Sequence, residues 1–197
     1  MSDPSTFSIQ KGQIVACVAI ALSLMVATIW LFNGFTETGV RIAIRMTART
    51  SCLLFLLSFI ASPLVALLSH PVSRWLRANR KYLGLSFAVS HAWHAIAIAG
   101  LAYLSSGRAI SYDFGGVLGY IFLGLMTVTS TDSAKQWLGD RQWYILHTIG
   151  AYYIWIAFVV AFSERWAIAP LYPTLISLLV LAMGLRLINW TRRFWPS

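Results

Sequence analysis

The chain has 197 residues, of which 58% are hydrophobic and only 11% charged, less than half the charged share of an ordinary soluble domain. That excludes a water-soluble globular fold. The net charge of +9 would suggest nucleic acid in a soluble protein, but here its distribution along the loops is the informative quantity. The composition is that of an all-α integral membrane protein.

The first segment, MSDPSTFSIQKGQ, is polar and nearly uncharged. The apolar run after it, 14–35, is too long for a signal-peptide core and lacks a small-residue cleavage site, so it is expected to stay as a first membrane helix. Five more runs follow, at 50–68, 83–104, 114–130, 143–162 and 171–190, each near the roughly 20 residues a spanning helix needs. They predict a six-helix transmembrane bundle, with the whole chain, 1–197, as one membrane domain. No soluble domain is left over, no internal repeat stands out, and Pro63 is expected to kink the second helix. Gly107, Gly115 and Gly116 bracket the turn between the third and fourth helices. Cys17 and Cys52 both fall inside apolar runs and read as small apolar residues, not as a disulfide or metal pair.

With the N-terminus inside, the cytoplasmic segments carry ten basic residues: Lys11, Arg74, Arg77, Arg80, Lys81, Lys135, Arg141, Arg186, Arg192 and Arg193. The opposite side carries five, Arg41, Arg45, Arg49, Arg108 and Arg165, so both termini are expected in the cytoplasm. Glu37, Arg41, Arg45 and Arg49 recur every four residues and suit one face of a short helix entering the second span. That face is either solvated and headgroup-binding or a site for an anionic partner.

Between the fourth and fifth runs lies STDSAKQWLGDRQWYILH, in which Ser133 and Gln136 have capping-box spacing, so the fifth helix is expected to begin well before its apolar part. Trp137, Trp143, Tyr152, Tyr153 and Trp155 read as interfacial anchors and packing residues, or as lining for a cofactor pocket. None of the six acidic residues lies deep in a run, and no hydrolytic constellation is present, which argues against a hydrolase.

The four histidines carry the functional signal. His70 sits at the end of the second run beside Pro71 and reads as structural, whereas His91, His94 and His147 lie within hydrocarbon, where an imidazole needs a partner. Two neutral imidazoles from different helices make a six-coordinate haem suited to electron transfer, provided both lie at similar depth. His94 is fourteen residues after Arg80, and His147 is fourteen after Ser133, each roughly 21 Å along a helix. The pairing therefore requires 133–139 to be helical. His91, three residues before His94, faces the same region and is an alternative ligand, a partner for a propionate or quinone, or a satisfied neighbour.

RKYLGLSFAVSHAWH (80–94) resembles the R-R-x-L-G-L…L-H entry into the third helix of the ferric-reductase-like transmembrane family. MTVTSTDSAKQWLGDRQWYILH (126–147) is similar to that family's T-S…L-G…W-x-x-L-H entry into its fifth helix, and SPL (62–64) to a Thr-Pro-Leu element. The resemblance covers about 41–162 and points most closely to the haem-binding membrane subunits of bacterial periplasmic methionine-sulfoxide reductase systems. It implies that His94 and His147 are haem ligands binding the iron, with His91 at a non-ligand position. Val160 and Arg108 stand where relatives have further histidines, Thr148 stands where an Arg is common, and the Leu-Gly pair is one residue farther from His147. The matched positions thus imply one haem b.

The expected protein is a b-type haem electron-transfer subunit of the bacterial inner membrane, an oxidoreductase component with no catalytic residue of its own. Because no dinucleotide- or flavin-binding domain follows the sixth run, electrons are expected from a separate cytoplasmic reductase or from quinol, with quinone or flavin as further cofactors, and to pass to a periplasmic reductase partner. Arg77, Arg80, Lys81 and Arg141 are available for propionates or an anionic donor, or act as positive-inside anchors. The alternative is a haem-free assembly factor or small-solute permease that uses the histidines as a polar cluster; a further one is a scaffold that keeps only the fold.

Overall fold

The structure, a computed structural model, describes residues 11–106 and 114–194. Gly107 and Arg108 lie outside the described residues. Among the described residues there are seven α-helices and no strand: α1 (Gly12–Asn33), α2 (Glu37–Leu67), α3 (Pro71–Leu104), α4 (Phe114–Val128), α5 (Asp132–Leu138), α6 (Asp140–Ser163) and α7 (Leu171–Phe194). Helices are what lipid permits, since every backbone N–H and C=O is then satisfied within its own segment. The chain is a multi-pass membrane protein: α1, α2, α3, α6 and α7 are each long and apolar enough to cross a bilayer.

The fourth run departs from expectation. Its helix α4 has 15 residues, roughly 22 Å, short of the ~30 Å hydrocarbon core. It reaches spanning length only together with α5, to which it is bent by 106°. Five single-helix candidate spans are therefore present among the described residues, and a sixth only if the bent pair is counted as one.

The start of the fifth span is also corrected. Residues 133–138 are helical but Gly139 is not, so the helix over 133–139 that the haem pairing requires is broken at its last residue; the cap is Thr131, whose Oγ1 accepts the Ala134 N–H at 3.2 Å, and not a Ser133–Gln136 box. Gly139 then adopts φ 84°, a left-handed conformation suited to glycine, and its N–H closes α5 on the Lys135 carbonyl. Helix α6 begins afresh at Asp140. His147 thus lies seven residues into α6, roughly 10 Å, and the equal-depth count with His94 no longer holds in that form.

The two long helices extend past the apolar runs. Helix α2 begins at Glu37, so the 37–41–45–49 face is the opening of the span itself, with Arg41 Nη2 2.7 Å from Glu37 Oε1. It continues through the buried Pro63 to Leu67.

Close packing divides the chain into two units. In the first, drawn from Met1–Phe55 and Lys81–Tyr112, the small residues Ala43 and Ala97 are fully buried and let α2 approach α3, with Val40 and Leu101 beside them. Trp30 of α1 meets Phe35 and Trp93 edge-on, with ring centroids 5.3 and 6.3 Å apart. The second unit, drawn from Leu56–Arg80 and Asp113–Ser197, packs α4, α6 and α7. There Trp155 Nε1 donates to the Leu179 carbonyl at 2.9 Å, and Tyr153 Oη to the Gly115 carbonyl at 2.8 Å.

Candidate functional site

In the first unit, α3 presents Ser86, Ser90 and His94 at four-residue spacing, a single stripe along the helix. Opposite it, α2 presents Thr47, Thr50 and Ser51. Thr47, Ser51 and Ser90 are fully buried, so each hydroxyl must be bonded within the protein. Ser51 Oγ donates to Ser90 Oγ at 2.9 Å, and Thr50 Oγ1 lies 3.2 Å from the same atom. Thr47 Oγ1 donates to the Ala43 carbonyl at 2.7 Å.

His94 is anchored to this seam through Nδ1. Its Nδ1 lies 3.1 Å from the Ile44 carbonyl and 3.1 Å from Thr47 Oγ1. A carbonyl only accepts, so Nδ1 carries the proton, and the lone pair of the neutral ring falls on Nε2. That is the tautomer a histidine ligand needs: one N–H held by the protein, the other nitrogen left as the Lewis base. The His91 ring lies 5.2 Å from the His94 ring and 5.2 Å from Phe87. The two histidines of the stretch SHAWHAIAIAG are thus direct neighbours.

His147 is held in the second unit by different chemistry. Trp143, one turn earlier on α6, stacks on its ring with centroids 4.1 Å apart and planes 25° from parallel. Trp143 Nε1 donates to the Thr129 carbonyl at 2.9 Å, and Thr129 Oγ1 lies 3.1 Å from His147 Nε2. Thr129 Oγ1 already donates to the Leu125 carbonyl at 2.7 Å, so toward the imidazole it acts as acceptor. His94, with its proton on Nδ1, therefore offers the Nε2 lone pair that an iron ligand requires. His147 fits through Nε2 once the Thr129 bond is exchanged. Among the described residues no three His, Cys, Asp or Glu side chains form a group that could hold a metal ion.

The second unit also gathers cations. Arg77 Nη1 and Arg80 Nη1 converge on Ser62 Oγ, at 3.1 and 3.2 Å. The Arg186 guanidinium lies over the Phe59 ring at 4.0 Å and over the Tyr152 ring at 5.2 Å, cation–π geometry that compensates a half-buried charge. His70 is exposed, and its Nδ1 accepts the Val72 N–H at 3.3 Å at the start of α3, the structural role expected of it. Trp137 is 86% exposed on α5.

Similarity to known proteins runs along nearly the whole chain. It is 28% identical over 193 residues to a protein of Salmonella enteritidis PT4, covering 90% of this chain and 93% of that protein. Proteins of Salmonella paratyphi B and Salmonella newport are each 28% identical over 194 residues, covering 90% of this chain and 94% of theirs. All three carry the name protein-methionine-sulfoxide reductase heme-binding subunit MsrQ. The chain is similar to these MsrQ subunits over nearly its whole length. No family model matches it, and no solved structure does.

The similarity to MsrQ agrees with the relationship the helix-entry motifs implied, and it extends beyond 41–162 to most of the chain. Three residues at these clusters escaped the sequence reading: Thr47, Thr129 and Arg186 in its ring-stacked role. A signal existed for the first. Hydroxyl residues recur on α2 at 47, 50 and 51 and on α3 at 86 and 90, an unusual density for a lipid-spanning pair, and His94 continues the α3 stripe. Thr129 had none, because its tie to His147 depends on how α6 folds back on α4.

Proposed function

We propose that the chain is a b-type haem electron-transfer protein of the bacterial inner membrane, with six crossings and cytoplasmic termini. It takes electrons from a cytoplasmic reductase or from quinol and passes them toward a periplasmic acceptor, a role consistent with relatives named as heme-binding subunits of a protein-methionine-sulfoxide reductase. The observation that carries this reading is His94, whose Nδ1 is committed to the Ile44 carbonyl while Nε2 keeps its lone pair.

Bound haem supplies a one-electron Fe(III)/Fe(II) couple in such a site. His94 of α3 and His147 of α6 would hold the iron, His147 through Nε2 in place of its bond to Thr129 Oγ1. Trp143, stacked on His147, keeps that ring in place. Arg77 and Arg80 are suited to the propionates, since they already converge on one hydroxyl from α2. A second reading, with His91 in place of His94, is favoured by the start of α6 at Asp140. His91 is eleven residues past Arg80, roughly 16 Å, closer to the shallower His147.

Reduced-minus-oxidised absorption spectra of the purified protein test this. The b-type bands should vanish in His94→Ala and His147→Ala and persist in His70→Ala. Bands lost in His91→Ala but kept in His94→Ala would transfer the ligand role by one turn. Absence of b-type bands from the haem-reconstituted wild type would refute the function and favour the haem-free alternative.

A further inference from the structure

The hydroxyl seam between α2 and α3 does more than pack two helices. We propose that Thr47 is a positioning residue for His94, sharing the Nδ1 proton with the Ile44 carbonyl, fixing the ring orientation and thereby tuning the reduction potential of the iron it binds. This rests on the reading of His94 as a haem ligand, and it names a residue that neither the helix-entry motifs nor the relatives' names identify.

Thr47 grips α3 twice. Its side-chain oxygen accepts from His94 Nδ1 at 3.1 Å, and its carbonyl accepts from Ser90 Oγ at 3.4 Å, one turn earlier on the same face. Ser90 is in turn held by Ser51 at 2.9 Å. Because Thr47 Oγ1 spends its own proton on the Ala43 carbonyl at 2.7 Å, it is left as an acceptor. The Ile44 carbonyl, at 3.1 Å, is the second acceptor for the same N–H. Two acceptors on one imidazole N–H draw its proton outward and make the opposite nitrogen a stronger donor. A stronger donor favours Fe(III) over Fe(II). The seam is fully buried at Thr47, Ser51 and Ser90, so water does not replace a lost acceptor.

Thr47→Val keeps the β-branched shape and deletes the hydroxyl; Thr47→Ser keeps the hydroxyl and deletes a methyl. In spectroelectrochemical titration of the haem-loaded protein, Thr47→Val should raise the Fe(II)/Fe(III) ratio at a fixed ambient potential by about three- to tenfold. A tenfold change corresponds to about 59 mV for a one-electron couple. Thr47→Ser should restore the wild-type ratio. An unchanged ratio in Thr47→Val overturns the proposal, and so does an equal shift in Thr47→Ser, which would mean that packing alone is responsible.

If Thr47→Val does not accumulate, ¹⁵N-histidine chemical shifts of wild-type protein prepared without haem decide the matter. His94, assigned by loss of its signal in His94→Gln, should be protonated at Nδ1, and a proton on Nε2 overturns the proposal. The two layers separate cleanly. Bands that survive His94→Ala refute the ligand assignment, whereas bands that require His94 but have a potential indifferent to Thr47 refute only this inference.

Discussion

Gly150 marks a close approach between α6 and α4, and its substitution should measure how much that contact contributes. A Cβ added there would lie 2.5 Å from Met126 Sδ, and 3.4 Å from Met126 Cγ and Phe122 Cδ1. Non-bonded heavy atoms rest at about 3.5–4.0 Å, so the thioether must retreat by roughly 1 Å. Forcing a methyl into a packed interior costs about 1–3 kcal/mol, while alanine recovers about 0.5–1 kcal/mol of helix preference over glycine. The net for Gly150→Ala is about 1 kcal/mol destabilising, a fall in thermal midpoint of about 2–4 °C for a chain of this size. Met126→Ala vacates the space, so adding Gly150→Ala to that background should be neutral or stabilising. Helix loss followed by far-UV circular dichroism in detergent reads both backgrounds, and their difference is the coupling. An equal fall in both would refute the steric explanation.

Two smaller effects follow from the remaining contacts. In Thr129→Val, His147 Nε2 loses the partner that competes with iron, a bond of about 1 kcal/mol net. Haem titration of the haem-free protein should then show about fivefold tighter binding, and weaker binding would show that Thr129 supports the ligand instead of restraining it. Glu37→Gln removes the ion pair with Arg41, but both side chains are about half exposed (54% and 48%). Solvent and salt screen such a pair to about 0.3–0.5 kcal/mol, so the thermal midpoint should move by less than about 2 °C. A larger drop would mean that Glu37 has a second partner.

The sequence by itself determined the class of the protein. A chain that is 58% hydrophobic with six long apolar runs has no soluble solution, and in lipid its backbone is forced into helices. The histidines were legible for the same reason, since an imidazole inside an apolar run is costly unless it is used. Local chemistry was only partly readable. The helicity of 133–138 was foreseen, but its cap at Thr131 and its stop at Gly139 were not, because a left-handed glycine turn inside a helical pattern leaves no periodic trace. That turn matters most for the site, as it separates α5 from α6 and brings His147 to the seventh residue beyond the start of its helix. The partners of the histidines belong to tertiary structure. Thr47 is 47 positions from His94, and Thr129 is 18 from His147. Which nitrogen of each ring is committed depends on how one helix faces another, and no spacing along a single helix contains that information.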